Sequence, residues 1–136
     1  MTYPASRLRR LVVAVVLLTG IAVAGGAHPA AAQPTTFTST VVNTGSSLCM
    51  DDPNSSTTAD VQLIQYTCHG ASNQNWTFTP VAGSSAYTIT SFAGLCVDIS
   101  GRSTANGAQV IQYTCNGQTN QQYNLQVTSG NDVNLV

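Results

Sequence analysis

The sequence contains an internal repeat with an offset of 47 positions. Leu-Cys-Met-Asp at 48–51 matches Leu-Cys-Val-Asp at 95–98, and Ile-Gln-Tyr-Thr-Cys occurs at both 64–68 and 111–115. The match continues without a gap to an Asn-Gln pair in each copy. A repeat of this length is typical of a duplicated supersecondary unit. The sequence therefore predicts two similar units and constrains the fold to one that such units can build together.

Short strand-like segments alternate with turn-forming stretches in both copies. The intervening segments 53–58 and 101–107 are rich in Pro, Asn, Ser, Thr and Gly, which favour turns. No helical period over three turns occurs after residue 32, so an all-β barrel or sandwich is expected. The expected strands, chosen for β-branched and aromatic residues, are 36–42, 61–66, 76–79, 87–90 and 110–113.

Four cysteines lie in the repeats as two pairs, each with a separation of 19 positions. They are Cys49 with Cys68 and Cys96 with Cys115. Four cysteines allow three pairings, and the equal spacing favours two local disulfides, each worth roughly 3 kcal/mol in the chain-entropy model. A zinc site at Cys49, Cys68 and His69 is the alternative, although it lacks the short paired spacings of structural zinc sites.

Residues 1–32 have the layout of a secretory signal peptide. Three arginines within the first ten residues precede an apolar run over 11–24, and three alanines at 30–32 offer a cleavage site before Gln33. The run is shorter than the ~20 residues that span a bilayer, so no stable membrane anchor is expected. The sequence predicts a secreted, extracellular product, exported by the general or the twin-arginine route.

Charge and residue types exclude several functions for residues 33–136. One arginine, Arg102, stands against five aspartates, which is too little positive charge for a nucleic-acid partner. Catalytic triads need a histidine, and His69 lies beside a cysteine expected to be oxidised. The repeated acids Asp51 and Asp98 are expected in separate sites, so they would not flank one glycosidic bond. No enzyme, cofactor or metal site is expected.

A small polar constellation around an aromatic ring recurs in each copy. A tyrosine can cover the apolar face of a sugar ring, and a carboxylate can accept hydrogen bonds from two neighbouring hydroxyls. Such a site suits a neutral, hydroxyl-rich ligand. The constellation comprises Asp51, Tyr66, Asn73 and Gln74 in the first copy, and Asp98, Tyr113, Asn120 and Gln121 in the second.

Leu-Cys-x-Asp, Gln-Tyr-Thr-Cys and Asn-Gln-Asn-Trp at 73–76 together resemble the repeat of ricin B-type lectins, also called carbohydrate-binding module family thirteen, over about 37–125. The resemblance implies a β-trefoil of three lobes, with one disulfide and one shallow site for galactose-type or xylose-type sugars in each. For the first lobe it implies Asp51 as hydroxyl acceptor, Tyr66 as stacking platform, Asn54, His69 and Asn73 at the rim, Gln74 orienting the aspartate, and Trp76 in the core.

The second copy departs from this pattern at three positions. Gly101 replaces Asn54, Asn116 replaces His69, and Tyr123 stands where tryptophan is expected. A second site at Asp98, Tyr113, Asn116, Asn120 and Gln121 is expected to be weaker or different in preference. The alternative interpretation is that the aspartates of both copies anchor turns and that the tyrosines are half-buried strand residues.

The resemblance divides the chain after the signal peptide into lobes. Lobe one covers about 37–83, lobe two about 84–130, and a third lobe starts at 131–136 without its Cys-x-Asp, tyrosine and Gln-x-Trp elements. The expected fold is β-trefoil-like with two complete lobes and a third missing or truncated. Such a fold has unpaired strand edges, which leaves three possibilities: the chain is a truncated product, it pairs with another copy, or a two-lobe body is stable on its own with two disulfides.

The sequence thus predicts a secreted carbohydrate-binding protein without catalysis. Weak single sites gain by avidity on a polymer, so a polysaccharide is the expected partner. The alternative is a β-trefoil that binds protein, such as a protease inhibitor or an adhesion factor. Such a protein would not need an aspartate and a tyrosine at matching offsets in both lobes.

Overall fold

The computed structural model describes residues 35–127 and 133–136, and the expected signal peptide over 1–32 lies outside them. Within these ranges every helix is a single 3₁₀ turn, and none could span a bilayer. The 3₁₀ turns are Pro53–Ser55, Ser72–Gln74, Ser100–Arg102 and Thr119–Gln121. The strands are β1 (Phe37–Ser39), β2 (Cys49–Asp51), β3 (Val61–Gln62), β4 (Ile64–Tyr66), β5 (Trp76–Pro80), β6 (Ala86–Thr90), β7 (Cys96–Ile99), β8 (Val110–Tyr113), β9 (Tyr123–Val127) and β10 (Val133–Leu135).

All strand pairings are antiparallel, as expected for an all-β fold with short connections. The larger sheet has the order β1-β5-β6-β7-β8-β3, and β9 pairs with both β6 and β10. Strands β2 and β4 form a separate ribbon. The ribbon β2–β4 has the same register as β7–β8, because Cys49 pairs with Tyr66 as Cys96 pairs with Tyr113. The internal repeat is therefore a repeat of structure.

The two disulfides join Cys49 to Cys68 and Cys96 to Cys115, as the equal spacing favoured. Each bridge links the start of the first strand of a ribbon to the residue two positions beyond the second strand. Because all four cysteines form disulfides, the alternative zinc site with His69 is wrong.

The segment 61–66, expected to be one strand, is two strands with different partners. Strand β3 pairs with β8 of lobe two, whereas β4 pairs with β2 of its own lobe. Leu63 separates them, and its side chain is buried in the core. The expected strand over 36–42 is likewise shorter, since β1 ends at Ser39 and Val42 forms an isolated bridge with Cys49.

The core lies between the lobes and takes residues from both. Trp76 is fully buried, and its indole Nε1 donates to the carbonyl of Met50 at 3.1 Å, so its one polar group is satisfied. Tyr123, at the equivalent position, is only half-buried and donates from its hydroxyl to the Asn120 carbonyl at 3.3 Å. The central cluster consists of Val41, Leu63, Trp76, Phe78, Ile89 and Val97.

Candidate functional site

The expected site residues of lobe one surround an open cavity of about 390 Å³. The cavity lies between the two 3₁₀ turns of the lobe and strand β4. Gln74 is absent from the lining because it is fully buried behind it. The lining residues are Asp51, Pro53, Asn54, Ser55, Ile64, Tyr66, His69, Ala71 and Asn73.

Asp51, at the end of β2, is buried, and only one of its two carboxylate oxygens accepts hydrogen bonds from described residues. Oδ2 accepts from Asn73 Nδ2 at 3.0 Å and from Gln74 Nε2 at 2.7 Å, and His69 Nε2 lies 3.4 Å from it. Oδ1 makes no hydrogen bond with any described residue. The carboxylate is therefore fixed in orientation while one oxygen keeps its capacity to accept.

Gln74 supports the site from behind and does not line it. Its Nε2 also donates to the Thr67 carbonyl at 2.9 Å, and its Oε1 accepts from the His69 backbone N–H at 2.9 Å. All its polar atoms are thus engaged inside the protein. This geometry suits a residue that orients Asp51, which is the role that the sequence resemblance implied.

Aromatic rings and a left-handed turn form the rim of this cavity. Tyr66 is 56% exposed, and its ring centre lies 6.1 Å from that of His69 at an angle of 68°. His69 Nδ1 accepts from the Ala71 N–H at 3.3 Å, which assigns the proton of a neutral ring to Nε2, facing Asp51. Asn54 has φ of 60°, a conformation that asparagine tolerates better than most residues.

The second lobe contains a corresponding cavity of about 510 Å³. Asp98 Oδ2 accepts from Gln121 Nε2 at 2.7 Å, and Gln121 also bonds the Thr114 carbonyl and the Asn116 N–H. These bonds repeat those of Gln74 in lobe one. The lining residues are Asp60, Asp98, Ser100, Gly101, Arg102, Ile111, Tyr113, Asn116, Gln118 and Asn120.

The two cavities differ in the hydrogen bonds of the asparagine at the centre of the second 3₁₀ turn, Asn73 in lobe one and Asn120 in lobe two. Asn120 Nδ2 donates to the Ile99 carbonyl at 3.2 Å, whereas the equivalent Asn73 also bonds its aspartate. Asp98 therefore has one amide donor where Asp51 has two. Gly101 has φ of 64°, so it retains the left-handed turn of lobe one while removing a side chain from the rim.

Six lining residues of the second cavity were not among the expected site residues: Ser100, Gly101 and Ile111, and the longer polar side chains Asp60, Arg102 and Gln118. Arg102 and Gln118 align with Ser55 and Ala71 at the same offset of 47, so a position-by-position comparison of the copies would have found them. Asp60 belongs to lobe one and reaches the cavity because β3 pairs with β8. No local pattern in the sequence indicates that pairing.

A second carboxyl group lies next to Asp51 but faces away from solvent. Asp52 is fully buried, and neither of its carboxylate oxygens has a hydrogen-bond partner among the described residues. Burial, and then the charge of Asp51, raise the pKa of Asp52 from 3.8 to about 6. Within the described part of the chain, no group of three or more His, Cys, Asp or Glu side chains is arranged to hold a metal ion.

The family model for the ricin-type beta-trefoil lectin domain matches residues 37–134. A search of curated proteins gives no match. Among solved structures, the chain is similar to the designed three-fold symmetric protein ThreeFoil, with 32% identity and a TM-score of 0.69 over 73% of this chain and 71% of that one.

Two natural proteins also share the fold. The exo-β-1,3-galactanase 1,3Gal43A of Clostridium thermocellum is 33% identical with a TM-score of 0.60, over 71% of this chain but 19% of the galactanase. The lectin of Polyporus squamosus, solved with the epitope Neu5Acα2-6Galβ1-4GlcNAc, is 21% identical with a TM-score of 0.54, over 61% of this chain and 30% of that lectin. These similarities confirm the expected β-trefoil class, while the expected number and boundaries of lobes stay predictions.

Proposed function

The chain belongs to the ricin-type β-trefoil lectin family and carries a carbohydrate-binding domain of that type, and we propose that it binds sugar units of a polysaccharide through both cavities. The observation that carries the proposal is the state of Asp51. Its Oδ2 is held by neighbouring amides, its Oδ1 is unpaired among the described residues, and the exposed ring of Tyr66 lines the same cavity.

In lobe one, the apolar face of a sugar ring stacks on Tyr66 while ring hydroxyls donate to Asp51. Asn54, His69 and Asn73 contact the edge of the sugar. Gln74 fixes the carboxylate before the ligand arrives, which lowers the ordering cost of binding. Lobe two acts in the same way through Asp98, Tyr113, Asn116 and Asn120, with Gln121 as its positioning residue.

A polysaccharide is the proposed partner because each cavity is open and holds one sugar unit weakly. Two such sites on one chain convert the second contact into an intramolecular event, so retention on a polymer exceeds the affinity of either site. Binding proceeds without catalysis. In support, Asp51 and Asp98 line different cavities and cannot act on one glycosidic bond.

Secretion is part of the proposal. Its support is the arginine-rich start, the apolar run and the alanine cleavage site of residues 1–32, together with two disulfides of the kind that persist in oxidising compartments. Mass spectrometry of the exported protein would test it, with a mature chain beginning at Gln33 as the expected result. Retention of the protein inside the cell would contradict it.

Self-association is also proposed. An apolar groove of about 360 Å³ opens between the lobes, and partly exposed apolar side chains such as Leu48, Ile64 and Ile99 line it. A second copy of the chain would remove these side chains from water. Size-exclusion chromatography with light scattering is expected to show a dimer at micromolar concentration, and a strict monomer at all concentrations would contradict the proposal.

The test of sugar binding is the double substitution Asp51→Asn and Asp98→Asn, measured by retention on insoluble galactan and xylan. Asparagine preserves shape and an oxygen for Gln74 or Gln121, but it places an amide donor where the sugar acceptor stood. We expect at least a tenfold loss of retention with an unchanged circular dichroism spectrum. The exposed Thr79→Ala serves as control.

Unchanged retention of the double variant would contradict the assignment of the site. Specific capture of a protein in place of any polysaccharide would favour the alternative, a protein-binding β-trefoil.

A further inference from the structure

The two cavities differ at a pair of aligned positions in their linings. Lobe one has Ser55 and Ala71 there, and lobe two has Arg102 and Gln118. The paired replacement introduces a cation together with a side chain that contacts it. A difference confined to one cavity is a candidate determinant of what that cavity selects.

Arg102 is positioned within the second cavity. It ends the 3₁₀ turn Ser100–Arg102 with φ of 55°, in the same left-handed region as Ser55 at φ of 50°. Its Nη1 donates to Gln118 Oε1 at 2.6 Å, and the Gln118 N–H in turn donates to Asn116 Oδ1 at 3.0 Å. The guanidinium is thereby tied across the mouth, from the turn to the loop beyond β8.

The contacts of Arg102 leave its charge unneutralised. Gln118 is a neutral amide and engages one of five guanidinium N–H donors. In the described ranges, the one contact within 4.0 Å between a basic side chain and a carboxylate joins His69 and Asp51, so no carboxylate there pairs with Arg102. A guanidinium in this state is suited to two oxygens of a carboxylate or sulfate.

We propose that the lobe-two cavity selects a sugar unit with an anionic substituent, a uronate or a sulfated sugar, and that Arg102 binds the anion. This inference rests on the proposed sugar binding by lobe two and specifies its ligand class. Asp98 accepts ring hydroxyls at one position of the cavity, while Arg102 engages the charged substituent at another. Lobe one has Ser55 and Ala71 at these positions and no arginine or lysine in its described lining, and it takes neutral sugars.

Asp60 lines the same cavity and is an exposed carboxylate. It competes with the ligand anion for Arg102 and adds a negative charge to the site. Removal of this charge is therefore expected to strengthen binding of an acidic sugar. That expectation distinguishes an anion-binding role for Arg102 from a role in which the arginine only stabilises the turn.

The experiment uses the full chain with Asp51→Asn, which removes the lobe-one site, so that binding reports on lobe two. Dissociation constants are measured by calorimetry. The probes are galactose oligosaccharides with matched galacturonate oligosaccharides, galactose 6-sulfate, and xylotetraose with and without a glucuronate branch. At low salt the acidic member of a pair is expected to bind three- to tenfold more tightly. The preference is expected to weaken in 0.5 M salt because an exposed charge is screened. Tighter binding of the uronates alone or of the sulfate alone identifies which anion is the ligand.

Substitutions then assign the preference to a residue. Arg102→Ser, which copies lobe one, is expected to bring the ratio of acidic to neutral dissociation constants to about one. Arg102→Lys is expected to retain part of the preference, because a point charge remains without the planar pair of donors. Asp60→Asn is expected to enlarge the preference about two- to threefold, and Thr79→Ala to leave it unchanged.

The outcomes separate this inference from the function on which it rests. Equal binding of acidic and neutral probes, or a ratio that Arg102→Ser does not change, overturns the inference and leaves sugar binding intact. No binding to the Asp51→Asn protein, when the unmodified protein binds, overturns the inference by removing lobe two as a site. No binding by either protein overturns the proposed function as well.

Discussion

Gln74 Nε2 donates a hydrogen bond of 2.7 Å to Asp51 Oδ2, and both side chains are buried where they meet. The same bond, with the same length, joins Gln121 to Asp98 in the second lobe. A buried amide that bonds a carboxylate and two backbone groups contributes to folding and to binding at once. Its removal should therefore affect both, and the two effects can be measured separately.

Gln74→Ala is expected to lower the free energy of unfolding by about 2 to 3 kcal/mol, because a buried carboxylate and two backbone groups each lose a partner. Binding by lobe one should fall at least tenfold, since Asp51 is no longer fixed. Urea denaturation and calorimetry would measure the two effects. The exposed Gln126→Ala is the matched control, and wild-type binding by a folded Gln74→Ala protein would contradict the positioning role.

Tyr66→Ala is expected to weaken binding by lobe one about tenfold while changing stability by less than 1 kcal/mol, because the ring is 56% exposed and its loss opens little core. Tyr66→Phe should retain most of the binding, since a phenyl ring still covers the face of a sugar. Affinity chromatography on immobilised oligosaccharide is the measurement. Phe92→Ala removes a similarly exposed aromatic ring outside both cavities, and an equal loss there would show a nonspecific effect.

The stability of the protein is expected to depend on pH through Asp52. Because its pKa is about 6 in the folded protein and 3.8 ordinarily, the folded state binds the proton more tightly. The stabilisation is complete below pH 3.8 and is lost as the pH rises through 6. At pH 8 the ionised group costs up to about 3 kcal/mol. Asp52→Asn should be the more stable protein at pH 8, and its advantage should shrink as the pH falls below 6.

Denaturation of both proteins between pH 4 and 8 would check this expectation, because groups common to both cancel in the difference. Asp60→Asn, at an exposed carboxyl, serves as the matched control. Parallel stability curves for the Asp52→Asn and unmodified proteins would show that Asp52 does not titrate in this range.

Removal of the second disulfide by Cys96→Ala with Cys115→Ala is expected to destabilise the chain by about 2 to 4 kcal/mol, because the bridge closes a loop in the unfolded chain. The bridge of lobe one encloses the same separation and should have a similar effect. Thermal denaturation of each paired variant would compare them. A negligible change in both would mean that the bridges contribute nothing to stability.

The repeat allowed the disulfide pairing to be predicted from sequence, and the repeat together with the family resemblance named five of the nine residues that line the first cavity. One offset aligns the cysteines, Asp51 with Asp98 and Tyr66 with Tyr113, and these residues belong to ribbons closed by local contacts. Residue type alone did not determine contacts, however. Asn73 and Asn120 align, yet the first bonds its aspartate and the second bonds the Ile99 carbonyl.

What sequence could not indicate depends on contacts between distant segments. The interruption at Leu63 arises because one side chain is needed in the core while the strands on either side of it pair with different lobes. The burial of Asp52 depends on packing that no local pattern records, and Asp60 reaches the second cavity through the pairing of β3 with β8. The periodicity of the sequence describes each unit but contains no information about which strands of the two units pair with each other.

The strand pairing between lobes makes a lobe a unit of sequence and not a unit of folding. Strand β3 of the first lobe completes the sheet of the second, so a fragment cut at the repeat boundary would lose an edge strand and part of a neighbouring site. Engineers who wish to recombine these candidate sites should therefore move the two lobes as a pair. The duplication produced two copies, and the pairing of β3 with β8 made the second copy depend on a strand of the first.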